Sequence, residues 1–356
     1  ELYVDPAKLS TAHAQQCLAR YERYLHAIIA DPDIRIRDLA WHEVAPITLP
    51  ESAHFDPVLT RFLHMADTQP QALAITDKTS SISYDALCAR ARQYAQLLVQ
   101  SGVKSGDIVP IALPRGAEAV AAFLGVMMIG GAYVPVDTEY PKARIAQIIT
   151  AINPSHILTT SEFADVLATP NAQMVLQTDL DEQLDLNDIT QGPLAYVIFT
   201  SGSQGIPKGV EITPQALAIS TGVRDTLYQE TPDAFLLLSS LAFDSSVVGV
   251  YWTLATGGHL LIAPSRAEQK PQALGALIAT HNVTHTLCLP SLAQALIAAI
   301  PSKDLQSLRM IIAAGEAMPT HLIETCAHAL PKCRLINEYG PTETTVWSTA
   351  FDATGL

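Results

Sequence analysis

An α/β fold is predicted for this chain on three observations. From Phe55 onward, segments with helical periodicity alternate with strand-like ones, the pattern of a largely parallel sheet covered by helices. The alternation is interrupted by a glycine-rich segment near residue 200 and then resumes, so two consecutive α/β sheets are expected. Composition supports a compact core: of 356 residues, 49% are hydrophobic and 16% charged, and the 23 prolines are scattered. At ~150 residues per domain, this length suits two or three domains or subdomains.

A helix is predicted near residues 10–30. Leu18, Tyr21, Leu25, Ile28 and Ile29 recur there at helical spacing, Ser10 or Thr11 offers an N-cap, and Pro32 lies past the end. Residues 34–57 carry prolines and little periodicity, as a linker does. One helix and a linker cannot bury their own apolar face, so this part is expected to pack on something else. Next comes an amphipathic helix over 83–102, capped by Ser83 and stopped at Gly102. A strand (106–113), helix (116–130), strand (132–136), helix (141–153) and strand (156–161) follow, and another strand leads into the glycine segment at 195–200. Beyond it the rhythm returns in apolar segments at 236–243, 247–258, 259–264, 271–282, 284–290, 291–300, 308–315 and 321–330. No short internal repeat is present.

Charge and composition exclude several classes. The net charge is -14, from 35 acidic against 21 basic residues, which opposes a nucleic-acid surface built on clustered Lys and Arg. The five cysteines (Cys17, Cys88, Cys288, Cys326, Cys333) form no CxxC pair. An odd count with no signal peptide suits a reducing cytoplasm. The uncharged run at 119–136, "AVAAFLGVMMIGGAYVPV", approaches the length of a membrane helix. Gly130, Gly131 and Pro135 interrupt it, so a buried helix followed by a strand is expected and no membrane span. His321, Cys326, His328 and Cys333 fall on an ordinary amphipathic helix and its exit, with Cys326 and His328 on different faces. No zinc site is expected there.

The glycine segment, "TSGSQGIPKG" at 200–209, follows an apolar strand. Gly202 and Gly205 free backbone N–H groups, Thr200, Ser201 and Ser203 add hydroxyls, and Lys208 adds a cation, a set that fits a polyphosphate. The ordinary P-loop pattern fails: counted from Gly202, its second glycine position holds Pro207, and Gly209 stands where a magnesium-binding hydroxyl belongs. Taken alone, the segment also reads as a flexible Gly/Ser surface loop.

The segment resembles the phosphate-loop signature of the adenylate-forming superfamily. Further stretches resemble, in order, motifs of the amino-acid-activating adenylation domains of nonribosomal peptide synthetases: "ISYDAL" (82–87), "GGAYVPVDTEYP" (130–141), "AFDSS" (242–246) and "NEYGPTETT" (337–345). The resemblance implies a large N-terminal subdomain of two packed α/β sheets over residues 51–356. Residues 1–50 look like the end of a condensation domain and its linker. The implied reaction joins an amino-acid carboxylate to the α-phosphate of ATP and passes the acyl group to the phosphopantetheine thiol of a carrier domain. Positioning and cations then matter more than acid–base chemistry. ATP, Mg²⁺ and carrier-borne phosphopantetheine are the implied cofactors, and the upstream condensation and downstream carrier domains the implied partners.

The resemblance also implies roles. Thr200, Ser201, Gly202, Ser203, Gly205 and Lys208 would hold the β- and γ-phosphates, with Gln204 standing where family members usually have Thr. Tyr339 would stack on adenine, Asn337 would bond its exocyclic amine, and Gly315, Glu316, Ala317 and Gly340 would line the nucleotide pocket. Thr342 would touch the α-phosphate and Glu343 would ligate Mg²⁺. Asp244 would pair with the substrate α-ammonium, although an aspartate there also reads as a helix cap. The side-chain pocket would comprise Asp244, Ser245, Val248, Leu287, Ile312, Ala314, Glu338, Val346 and Trp347, with Trp347 shrinking the cavity. Glu338, a carboxylate among apolar residues, needs a partner, expected to be a substrate phenol, amide or cation. The pattern is similar to some tyrosine-type pockets.

The family's ribose-binding aspartate segment, hinge and small C-terminal domain with its lysine are not found in this sequence, so as written the chain is expected to adenylate poorly. Two alternatives stand beside the main reading: an acyl-CoA ligase-like activator of other carboxylic acids, and a catalytically incompetent scaffold.

Overall fold

The structure is a computed structural model and describes residues 11–35, 55–167, 169–177, 189–201 and 207–355. The chain divides into two units, Glu1–Ala53 and His54–Leu356. In the first, α1 (Thr11–Ala30) is the expected helix.

The second unit opens with α2 (Val58–Thr68), β1 (Leu73–Thr76), β2 (Ser81–Ser83) and α3 (Tyr84–Gln100). Ser83 stands at the N-cap of α3 in extended conformation, but its side chain makes no capping bond. Its hydroxyl donates to Asp85 instead, a shorter local route that competes with the cap. Then come β3 (Ile108–Ala112), α4 (Ala117–Met128), β4 (Ala132–Pro135), α5 (Lys142–Ile152), β5 (His156–Thr159), α6 (Ser161–Leu167), β6 (Gln173–Leu176) and β7 (Tyr196–Ser201). The strands and helices at 106–161 fall where the sequence predicts them. Every residue of α4 except Glu118 is buried, which explains the uncharged run that follows Glu118, and no described helix is long and apolar enough to cross a membrane.

After β7 the chain returns as β8 (Pro207–Ile212) and enters α7 (Pro214–Tyr228). Thr213 caps α7 by accepting from the Ala216 N–H at 3.1 Å, with Pro214 at the first helical position. Next is β9 (Ala234–Leu237), shorter than the predicted 236–243 segment because the chain leaves the sheet after Leu237. Two short helical pieces, α8 (Ser245–Val247) and α9 (Thr253–Thr256), flank a π-helical turn at Val248–Trp252. The remainder is β10 (His259–Ile262), α10 (Pro271–Thr280), β11 (His285–Cys288), α11 (Pro290–Ala299), β12 (Met310–Ala313), α12 (Thr320–Ala329), β13 (Arg334–Tyr339) and β14 (Thr349–Asp352).

Among the described residues the strands form two sheets. One runs β14-β13-β12-β11-β9-β10-β1-β2 and the other β6-β5-β3-β4-β7-β8. Both are parallel inside, with antiparallel pairs at their edges: β1–β2, β13–β14 and β7–β8. One apolar cluster joins them, combining Ile111 and Tyr133 of the second sheet with Phe235 and Leu287 of the first, and with buried residues of α3 and α4. The α3–α4 contact is close at Gly125, where an added Cβ would stand 2.7 Å from the Ala91 carbonyl oxygen.

Candidate functional site

Parallel sheets place ligands beyond the carboxyl ends of their strands. A cavity of about 1210 Å³ opens there, between the ends of β11, β12 and β13 on one side and of β3 and β4 on the other. Its lining includes Asp244, Ser245, Leu287, Ala314, Gly315, Glu316, Ala317, Asn337, Glu338, Tyr339, Gly340 and Val346. Most of the predicted nucleotide and side-chain pocket positions are thus brought to one space by strands far apart in sequence.

The positions differ in what they offer. Asn337 and Tyr339 lie at the carboxyl end of β13, and Tyr339 is 70% exposed, open to stacking on a planar ligand. Gly315 has a φ of +88°, a conformation that side chains avoid. The backbone of Thr345 and Val346 also has positive φ, 60° and 81°. For two β-branched residues this is strain of the kind that clusters at ligand sites.

Asp244 precedes α8 without capping it, so the helix-cap reading does not describe its side chain. Its Oδ2 accepts a 2.6 Å hydrogen bond from the Thr342 hydroxyl. Burial pushes the Asp244 carboxyl above its ordinary range, while the Thr342 bond works in the opposite direction. One residue further, Glu343 lies 3.5 Å from the ammonium of Lys208, both well exposed. Lys208 sits on β8, opposite Thr200 in the β7–β8 ladder. Lys208, Thr342, Glu343 and Asp244 therefore form a connected chain from the β7–β8 hairpin to the cavity. Gly202, Ser203, Gln204 and Gly205 lie outside the described residues.

Not every predicted pocket residue reaches the cavity. Val248 and Ile312 are 4% and 0% exposed within the core and do not line it. Trp347 does not shrink it: its indole N–H donates to the Ser220 carbonyl at 3.1 Å, and Arg224 lies 4.6 Å from its ring centroid. Glu338 lines the cavity, but its partner belongs to the protein. Arg224 donates to both carboxylate oxygens, at 3.1 and 2.9 Å, and the Tyr228 hydroxyl donates as well.

Arg224 and Tyr228 were not singled out by the sequence, since both lie on α7, a helix whose only strong signal is Thr213 followed by Pro214. The Asp137 carboxylate, which accepts from Ser240 at 2.5 Å, and Arg115, which donates to the Leu237 carbonyl at 2.7 Å, complete the cavity wall and were missed too. Among the described residues no group of His, Cys, Asp and Glu is arranged to hold a metal by itself. Glu343 offers one hard oxygen donor, which suits a Mg²⁺ whose other ligands come from water and phosphate.

The sequence matches the family described as AMP-binding enzyme over residues 62–355. It is 36% identical over 354 residues to chondramide synthase cmdD of Chondromyces crocatus, covering 92% of this chain and 9% of that protein. It is 33% identical over 322 residues to the dimodular nonribosomal peptide synthase of Bacillus subtilis (strain 168), covering 87% of this chain and 13% of that protein. The chain thus spans about a tenth of the length of these relatives. Among solved structures, the nonribosomal peptide synthetase FmoA3 in its AMPPNP-bound form superimposes with a TM-score of 0.80 at 27% identity, over 97% of this chain and 39% of that one. The N-terminal subdomain of Klebsiella oxytoca NpsA, in complex with 3-hydroxybenzoyl-AMSN, shares the fold with a TM-score of 0.74 at 23% identity, over 83% of this chain and 75% of that one.

Proposed function

The chain belongs to the AMP-binding enzyme family, and from that membership we propose that it is an amino-acid-activating adenylation domain of a nonribosomal peptide synthetase. Its fold is that of the large N-terminal subdomain of such domains. The observation that carries the reading is the 2.6 Å bond between Thr342 and Asp244. It ties the segment that would meet the α-phosphate to the carboxylate that would meet an α-ammonium.

In this reading Asp244 pairs with the substrate ammonium and so aims the carboxylate. Tyr339 and Asn337 hold adenine, with Gly315, Glu316, Ala317 and Gly340 forming the pocket around it. Lys208, with Thr200, Ser201 and the rest of the hairpin, would take the β- and γ-phosphates, and Glu343, beside Lys208 at 3.5 Å, would hold Mg²⁺. The carboxylate attacks the α-phosphorus of ATP, taking the adenylyl group as the bond to the β-phosphate breaks and pyrophosphate leaves, and Mg²⁺ would shield the phosphate charge. Positioning and charge neutralisation, worth several kcal/mol each, are the terms this site can provide. Transfer to the phosphopantetheine of a carrier domain, with residues 1–50 as the C-terminal tail of an upstream condensation domain and its linker, completes the proposal.

The acyl-CoA ligase-like alternative shares the phosphate hairpin. The burial of Asp244 favours the amino-acid reading, because a desolvated carboxylate gains most from a cationic partner. A pyrophosphate-exchange screen of amino acids against fatty and aryl acids on the intact protein decides between them. Exchange only with acids that carry an α-amine is expected. Exchange only with acids that lack one would reverse the assignment.

A further inference from the structure

We propose that the side-chain pocket accepts an uncharged amino-acid side chain, because its buried carboxylate, Glu338, is already neutralised by Arg224. This rests on the amino-acid reading of the cavity and narrows it to a substrate class. Read by itself, Glu338 beside Leu287, Ala314 and Val346 would select a basic side chain, as an anion in an apolar wall demands a cation.

The geometry removes that demand. Arg224 approaches as a fork, Nη1 to Oε1 at 3.1 Å and Nη2 to Oε2 at 2.9 Å, the planar bidentate arrangement that gives the strongest pairing. Both side chains of the pair are 1% exposed, so water screens little of the attraction. Tyr228 donates a further bond to Oε1. Arg224 is held from behind by the Trp347 ring at 4.6 Å, and that indole is fixed on the Ser220 carbonyl. The carboxylate therefore has its full countercharge on a rigid support supplied by α7.

Each class of substrate meets this pair differently. A lysine- or ornithine-like ammonium would find no uncompensated negative charge, and would have a guanidinium immediately behind the carboxylate. Drawing Glu338 away would leave Arg224 buried and unpaired, which is strongly unfavourable. An aspartate or glutamate side chain would face the Glu338 oxygens directly. A neutral side chain meets Leu287, Ala314 and Val346 along its length. Glu338 lines the same cavity, and the bond that its Oε2 accepts among the described residues comes from Arg224, which leaves a lone-pair position able to accept a hydroxyl.

The test is amino-acid-dependent pyrophosphate exchange on the intact protein with neutral (phenylalanine, tyrosine, leucine, valine), basic (lysine, ornithine, arginine) and acidic (aspartate, glutamate) amino acids. The strongest exchange is expected with a neutral one, at least about tenfold above any charged one. A basic or acidic amino acid as the best substrate would overturn this inference and leave amino-acid activation intact. Exchange confined to acids lacking an α-amine would overturn both together. Two variants with opposite signs keep the test independent of absolute activity. Arg224→Gln unmasks Glu338 and should raise the ratio of lysine or ornithine to the best neutral substrate by about tenfold. Glu338→Gln unmasks Arg224 and should raise the ratio for aspartate or glutamate instead. Unchanged ratios in either folded variant would contradict the neutralised-pair account.

Discussion

At Asp244 a largely buried carboxylate is held against desolvation by the Thr342 hydroxyl, and its energetics are set by that balance. Burial raises its pKa and the Thr342 bond lowers it. With the folded pKa above the unfolded value of ~3.9, the folded state holds the proton more tightly. Ionising Asp244 therefore costs stability as pH rises from the unfolded pKa through the folded one, and the cost persists at neutral pH. Asp244→Asn removes it, so at neutral pH the variant should melt higher than the parent, with the gain disappearing under acid conditions. The same variant should lose amino-acid-dependent exchange by about 2–5 kcal/mol of binding, as expected when one partner of a buried charge pair is removed. Thermal melts at several pH values and exchange kinetics read the two effects, and a variant with undiminished exchange would remove Asp244 from the substrate site. Thr342→Val deletes the bond that favours the ionised carboxylate. Its KM for the amino acid should begin to rise at a higher pH than in the parent as the solution is acidified. An unmoved profile would mean that the 2.6 Å contact does not tune Asp244.

At the scale of the elements, much of the architecture was legible and the exceptions have physical causes. Helices α3, α4 and α5 and strands β3, β4 and β5 lie where periodicity and glycine punctuation put them, because each carries a strongly apolar pattern, on one face in α3 and α5 and on almost every side in α4. Of the apolar segment at 236–243, only the part to Leu237 is strand, and beyond it the chain runs along the cavity, where Ser240 bonds Asp137. Helix α7 carries a weak pattern, with Thr221 and Arg224 buried among its apolar residues. Such a pattern does not mark α7 in the sequence, nor Arg224 as the partner of Glu338. A buried carboxylate announces in sequence that a partner exists, but only tertiary packing identifies which residue supplies it. Glycine placement is legible after the fact at the α3–α4 crossing. Gly125→Val would drive a side chain into the Ala91 carbonyl, 2.7 Å from the Cβ position, and should cost about 3 kcal/mol through overpacking. A parent-like melting temperature would show that the two helices can separate at no cost.

For the whole second unit, the arrangement that matters is two parallel-centred sheets sharing one apolar cluster, with the cavity formed where their strands end. Neither sheet contains the site alone. Asn337, Glu338 and Tyr339 come from one, Thr200 and Lys208 from the other, and Asp244 from the segment that crosses after β9. The central claim is that this shared space activates an amino acid at the expense of ATP. Pyrophosphate exchange by the intact protein, with and without each amino acid and with fatty and aryl acids as controls, tests it most directly. The account expects exchange that depends on an uncharged α-amino acid and on Mg²⁺, and that collapses in Asp244→Asn. Exchange driven by acids without an α-amine, or none with any acid supplied, would contradict it.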